Sequence, residues 1–316
     1  SLVKSAPCSA APMRPLSRPI RTIARCSRSC YAMRAHTAIL LGIAMISNPV
    51  SAPPPNLRIV RVEEVRPHEK GDVQRSQPLM ERLRRAEHFT NPPVVAEIAQ
   101  DNYVLMDGSN RHISLQTLGF KHILVQIADY ESDCVELGVW QHIVADWDSQ
   151  RFMKNLEAMD NIVLKDGWNA NAVAHALLRD GPVYSIHAGV DNLKERNATL
   201  RQVVESYHNN AALYRSPLTD PALIWTLFPS GVALVLFPPY QPQDIIDAAL
   251  QAAYLPPGVS RHMIHGRALN LNFPMDGLRS EIPLAEKNQR LQDWLREQYA
   301  QRSVRYYAEA TYHFDE

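Results

Sequence analysis

Tyr103-Val104-Leu105-Met106-Asp107-Gly108-Ser109-Asn110-Arg111, with the run that follows to Gly119, decides the fold of this chain. A short apolar strand enters a polar turn, and a helix leads out of residues 107–110 to Gly119, a suitable C-terminal cap. The first turn of a helix has free N–H groups and the positive end of the helix dipole, so it can hold a phosphate without any side chain. Gly108 permits close backbone approach, and Arg111 can add a bidentate charge. Capping of the helix by Asp107 or Ser109 accounts for the same residues equally well. Strands over 58–63, 94–99 and 123–128, a loop over 66–69 and a helix over 78–86 complete a β-α-β-β-α-β unit.

Downstream, the pattern predicts one strand over 135–144 and helices over 151–159 and 169–178. A strand over 183–187 and a helix over 192–213 follow, then a hairpin of 224–228 with 232–237 around Pro229-Ser230-Gly231. A helix over 244–253, a strand over 268–273, a helix over 284–298 and a closing strand over 304–314 end the chain. The fold class is α/β (α+β), with an N-terminal unit over 57–147 and a packed C-terminal α+β domain over 148–316.

A chain of 316 residues with 46% hydrophobic content holds one large core or two modest ones. Its formal charge of zero hides an asymmetry. Residues 1–56 carry seven basic side chains and no acidic one, leaving 26 basic against 33 acidic in the body, a net of −7. An acidic body argues against nucleic acid as a partner, since such binding needs a dense basic surface. Cys8, Cys26 and Cys30 lie in the leader, so Cys134 stands alone in the body, where neither a disulfide framework nor a cysteine zinc site can be assembled. A body of this kind suits the cytoplasm. For the leader three readings stand: an organelle transit peptide, an export signal beginning at Met33, or an extension upstream of the natural start. Its apolar run over 38–46 is too short to span a bilayer.

Candidate chemistry lies at three further places. Glu69, after Pro67 and beside His68, has the carboxylate a general base needs. Trp140-Gln141-His142 sets an aromatic ring beside an imidazole. Ser260-Arg261-His262, followed by His265-Gly266-Arg267, gathers two arginines whose planar forks suit a carboxylate or phosphate. His262 and His265 lack an acidic neighbour, and no metal ligands are assigned.

Placed in this order, the segments resemble the ParB/sulfiredoxin superfamily. The run from Tyr103 to Asp129 is similar to its strand, Asp-Gly-x-His-Arg loop, helix and following strand. Within it the chain more closely resembles the free L-serine kinases, which include the O-phosphoserine synthase of staphyloferrin-type siderophore biosynthesis. Arg66-Pro67-His68-Glu69 resembles that family's early His-Glu segment, and Val139-Trp140-Gln141-His142 its tryptophan-bearing strand. Pro256 to His262, with Gly266-Arg267-Ala268-Leu269-Asn270, resembles its Thr-Arg-His segment and the Gly-Arg strand after it. The likeness runs from about residue 58 to the C-terminus. Asn110 stands where the family has histidine, and Ser260 where it has threonine.

The resemblance implies a nucleotide-binding domain over 57–147 and a substrate-binding domain over 148–316. It implies phosphoryl transfer from ATP or ADP, with Mg²⁺, to the hydroxyl of free L-serine. Glu69 and Asp107 would be catalytic; Gly108, Ser109, Asn110 and Arg111 would hold the nucleotide phosphates. His68, Trp140, Ser260, Arg261, His262 and Arg267 would bind the amino acid. The alternative is a ParB-like DNA-binding regulator without enzymatic activity. The acidic body and the lack of a basic recognition helix speak against it.

Overall fold

The computed structural model describes residues 52–307 apart from 72 and 180; the leader expectations lie outside this range, as does the closing strand beyond 307. The strands in chain order are β1 (Asn56–Arg61), β2 (Val65–Pro67), β3 (His88–Phe89), β4 (Val94–Ala99), β5 (Asn102–Asp107), β6 (His122–Ile127), β7 (Val135–Val139), β8 (Gln141–Ala145), β9 (Ile162–Asp166), β10 (Ala174–Leu178), β11 (Val183–Ala188), β12 (Ala212–Ser216), β13 (Gly231–Leu236), β14 (Ser260–Ile264) and β15 (Phe273–Pro274). The helices are α1 (Val73–Arg85), α2 (Ser109–Thr117), α3 (Ser149–Glu157), α4 (Leu193–His208), α5 (Pro221–Leu227), α6 (Pro242–Leu250), α7 (Met275–Arg279) and α8 (Leu284–Ala300).

A five-stranded sheet runs β1-β6-β4-β5-β2, in which β2 lies parallel to β5 and β4 parallel to β6. Strand β5, flanked by β4 and β2, is covered on both faces, which is why its sequence is apolar without alternation. Tyr103 and Leu105 join a core with Ile59, Leu115, Ile123 and Val125, sealed by Leu278 of α7 and Leu291 of α8. Val104 points the other way, into a second core with Phe152, Val203, Tyr207, Val235 and Ile245. That core covers one face of an antiparallel six-stranded sheet, β12-β8-β13-β10-β11-β9. Two-stranded ribbons pair β7 with β14 and β3 with β15. Among the described residues no helix is long and apolar enough to cross a membrane.

Several expectations change. Residues 135–144 are two strands in different sheets, broken at Trp140. The helix expected over 169–178 is replaced by strand β10, whose Ala174 and Ala176 face one core while Leu177 faces another. Burial on both faces erases the alternation that marks a strand. Residues 224–227 belong to helix α5 and Phe228 is its C-cap, so there is no hairpin. Asp220 caps α5 by accepting from the Ala222 N–H at 2.9 Å, and Pro221 occupies its first turn. The helix expected over 192–213 stops at His208, and strand β12 follows. The strand over 268–273 shrinks to Phe273–Pro274, because Asn270 and Asn272 take left-handed backbone (φ 51° and 55°). Residues 304–307 take no regular structure.

Candidate active site

Parallel pairing of β2 with β5 sets Pro67 opposite Leu105, so the residues that follow each strand emerge side by side. Chain leaving the carboxyl ends of neighbouring parallel strands is where α/β sheets form binding crevices. After β2 come His68 and Glu69; after β5 comes the loop into α2. Backbone hydrogen bonds hold the first of these to a distant segment: Leu255 N–H donates to the His68 carbonyl (2.8 Å), and Lys70 N–H to the Leu255 carbonyl (3.0 Å). The β7/β14 ribbon brings in the third part. Ser260 pairs with Val139, and Trp140 N–H donates to the Val259 carbonyl at 2.8 Å.

These parts surround one cavity of about 650 Å³. Glu69, Asp107, Gly108, Ser109, Asn110, Arg111, Trp140, Ser260, Arg261 and His262 all line it. Lys70, Arg82 and Arg215 add cationic groups, giving five cationic side chains against two carboxylates, a balance that favours a multiply charged anion.

At the start of α2, Gly108 is the N-cap residue and no side chain caps the helix. Its φ of +98° and a Cβ position 2.9 Å from Pro93 Cβ restrict the site to glycine. Asp107, which could have capped, instead accepts from Arg111 at 3.0 Å and from Arg267 on the same oxygen, Oδ2. Burial works to raise the Asp107 carboxyl, and the neighbouring guanidinium groups, Arg267 foremost, outweigh it and hold it low. The helix N–H groups therefore face the cavity without a capping side chain. Arg267 lies behind Asp107, outside the cavity lining.

Glu69 accepts from the Gly258 N–H (2.9 Å), the Ser260 N–H (3.2 Å) and the Ser260 hydroxyl (2.6 Å). Burial pushes its carboxyl up, but His68, Gly258 and Ser260 more than offset this and bring it down to about 2. Gly258 has φ +71°, and a Cβ there would meet Arg215 Cζ at 2.6 Å. His68 is 1% exposed and does not line the cavity; it sits behind Glu69 and Ser260.

Also lining the cavity, the Arg261 guanidinium lies over the Trp140 ring, 4.4 Å from its centre. His262 is held from behind by Tyr130, with the phenol oxygen 2.6 Å from Nε2. Burial, then the neighbouring His68, lowers the His262 pKa to about 3, so its ring is neutral. Among the described residues no group of three or more His, Cys, Asp or Glu could hold a metal ion.

Reading the sequence does not find Lys70, Arg82, Arg215 or Tyr130. Lys70 directly follows the Glu69 segment, which was a signal. Arg82 is on α1 among other surface arginines, and Arg215 comes from a strand in the second sheet; neither stands near a motif.

No family profile matches the chain. Over 83 residues it is 31% identical to an ATP-dependent L-serine kinase of Staphylothermus marinus, a match spanning 26% of this chain and 33% of that protein. It superposes on SbnI from Staphylococcus aureus, truncated at its C-terminus, with a TM-score of 0.62 at 20% identity, covering 77% of this chain and 97% of that one. A free serine kinase in complex with AMP gives 0.61 at 16% identity, covering 72% and 95%. The chain therefore carries the ParB/sulfiredoxin-like fold of SbnI and the free serine kinase.

Proposed function

We propose that the chain is a small-molecule kinase that transfers a phosphoryl group from ATP or ADP to the hydroxyl of free L-serine, giving O-phospho-L-serine. The observation that carries this reading is the shared cavity. A hydrogen-bonded carboxylate, Glu69, and an uncapped helix N-terminus with Arg111 line the same space. Phosphoryl transfer needs a group to orient and deprotonate the nucleophile, and a fixed array of positive charge for the phosphates. The serine kinase relatives, one of them bound to AMP, support the choice of acceptor and donor.

In this reading the nucleotide phosphates rest on the N–H groups of Gly108, Ser109 and Asn110, with Arg111 as their charged partner. Asn110 supplies a hydrogen-bond donor without charge. Arg261, steadied by Trp140, holds the serine carboxylate, and neutral His262 donates a hydrogen bond beside it. Glu69 takes the hydroxyl proton as the oxygen attacks the terminal phosphorus and the bond to the departing nucleotide breaks. The described residues do not form a protein-held magnesium site: Asp107 Oδ2 already serves two guanidinium groups, and among the described residues no acidic cluster stands beside it. Magnesium would arrive as the complex of the nucleotide phosphates.

The test is to incubate the full chain with ATP or ADP, Mg²⁺ and free serine, threonine or homoserine, following phosphorylated amino acid by ³¹P NMR. Phosphoserine is expected. Glu69→Gln is expected to lower turnover about a hundredfold or more while leaving AMP binding intact. Absence of any phosphorylated amino acid overturns the reading.

A further inference from the structure

Behind the cavity wall three contacts run in series. His68 Nδ1 lies 2.6 Å from the Leu105 carbonyl oxygen, His68 Nε2 lies 2.7 Å from Ser260 Oγ, and Ser260 Oγ lies 2.6 Å from Glu69 Oε1. The protons in this chain can be counted. A carbonyl oxygen only accepts, so Nδ1 carries its hydrogen and a neutral His68 presents Nε2 as a bare acceptor. Ser260 has one hydroxyl proton and two acceptors within reach, Nε2 and the Glu69 carboxylate. With neutral His68 and ionised Glu69, one of the two short contacts sets lone pair against lone pair.

One added proton completes the chain, and it can sit at either end. On Glu69, the carboxyl donates to Ser260 and Ser260 donates to Nε2. On His68, Nε2 donates to Ser260 and Ser260 donates to the carboxylate. The two arrangements differ only by proton shifts, with no heavy atom displaced. His68 is 1% exposed and Leu105 is fully buried, so Ser260 is the polar bridge between the ring and the cavity-lining carboxylate.

We propose that His68 is the proton store for the Glu69 base and that Ser260 is the bridge between them. The inference rests on Glu69 acting as base in the kinase reaction proposed above. As the acceptor O–H bond breaks, its proton goes to the Glu69 carboxylate while the freed oxygen bonds to phosphorus and the leaving nucleotide oxygen departs. A carboxyl proton then passes to Ser260 Oγ as the Ser260 proton passes to Nε2. Glu69 ends ionised, Ser260 keeps a hydroxyl, and His68 ends as an imidazolium whose charge is paired with Glu69 Oε1 at 3.7 Å. After product leaves, the proton returns along the same path to water. Three donors converge on the Glu69 carboxylate, from Gly258 N–H, Ser260 N–H and the Ser260 hydroxyl, and they complete its ionised form, while the His68 imidazole lies one hydroxyl away to take the proton on. Ser260 is thereby a positioning and relay residue, with its hydroxyl turned to the protein rather than to the substrate.

The experiment compares Ser260→Ala, Ser260→Thr, His68→Gln and the Ser260→Ala/His68→Gln double variant in the full chain, measuring kcat, KM for serine and Kd for AMP. Ser260→Ala and His68→Gln are each expected to lower kcat about a hundredfold. KM and Kd are expected to stay within about threefold. Ser260→Thr, which restores a hydroxyl, is expected to recover most of the kcat lost in Ser260→Ala. The double variant is expected to be no slower than the worse single one, because both interrupt one chain. A raised KM with kcat kept in Ser260→Ala overturns the relay and returns Ser260 to a substrate-orienting role. Additive losses in the double variant also overturn it. If His68→Gln fails to fold, the two Ser260 variants decide alone. Wild-type chain that makes no phosphoserine overturns both proposals, whereas an active wild type with unchanged kcat in Ser260→Ala overturns only this one.

Discussion

The Tyr130 hydroxyl reaches Nε2 of His262 at 2.6 Å, on the side of the ring away from the cavity. Burial raises the phenol pKa and lowers that of the imidazole to about 3, so the phenol donates and Nε2 accepts. That fixes the hydrogen of the neutral ring on Nδ1. Tyr130→Phe removes the donor and frees the tautomer. It is expected to lower kcat/KM for serine about tenfold, the value of one lost buried hydrogen bond. ¹⁵N shifts of the wild-type ring are expected to show the Nδ1–H tautomer and no protonation between pH 8 and about pH 5. A ring that titrates near its ordinary value of 6.5 would sink the assignment.

Arg111 and Arg267 share Oδ2 of Asp107, yet only Arg111 lines the cavity. Their losses should therefore separate. Arg111→Ala removes a charge-assisted hydrogen bond to the phosphates, worth about 1.5–3 kcal/mol, and is expected to weaken AMP or ADP binding about ten- to a hundredfold. Arg267→Ala leaves that group in place; it is expected to cost about 1–2 kcal/mol of stability with only a small change in Kd. Calorimetric titration and urea unfolding of both variants check this. Equal loss of nucleotide affinity in the two would show that Arg267, too, meets the ligand.

What was legible in the sequence follows physical range. The Asp107–Arg111 loop, Glu69 and Ser260–His262 could be read because each is a short segment whose residue types carry their own chemistry. β2 could not: three residues pair with β5 only because the chain returns there, and nothing local distinguishes Val65–Pro67 from a loop. The helix assigned over 169–178 follows Ala and Leu propensity, which burial of β10 on both faces overrides. At 224–228 the error is of another kind. Ile224, Trp225 and Phe228 suggested a strand, while Asp220-Pro221 already announced a helix start. For His68 the resemblance implies a substrate-binding role; its burial behind Glu69 and Ser260 follows from the parallel pairing of β2 with β5, which only the fold supplies.

Arg261 stacked on Trp140 predicts a graded response. A guanidinium over an aromatic face gains about 0.5–2 kcal/mol, and an indole gives more than a phenyl ring. Trp140→Ala is expected to raise KM for serine about five- to tenfold by letting Arg261 wander. Trp140→Phe is expected to fall between, with AMP binding unchanged in both. A Trp140→Ala variant whose KM for serine equals that of wild type would mean that Arg261 does not hold the amino acid, whatever its stacking.

Glu69 makes the last prediction, which concerns stability rather than turnover. Its carboxyl sits at about 2 in the fold against an ordinary 4.5, because the contacts from His68, Gly258 and Ser260 overcome its burial. A depressed pKa means that the folded state prefers the ionised form. The stabilisation is fully present above pH 4.5 and is lost as pH falls from there towards 2. The shift corresponds to about 3 kcal/mol. Glu69→Gln cannot ionise, so the difference between wild type and variant is expected to be constant above pH 4.5 and to move against the wild type by up to roughly that amount as pH falls towards 2. Urea unfolding of both proteins at pH 7, 5, 4 and 3 measures it, since groups that titrate alike in the two cancel in the difference. A gap that stays constant to pH 3 would assign the stabilisation to the shape of the side chain and not to its charge.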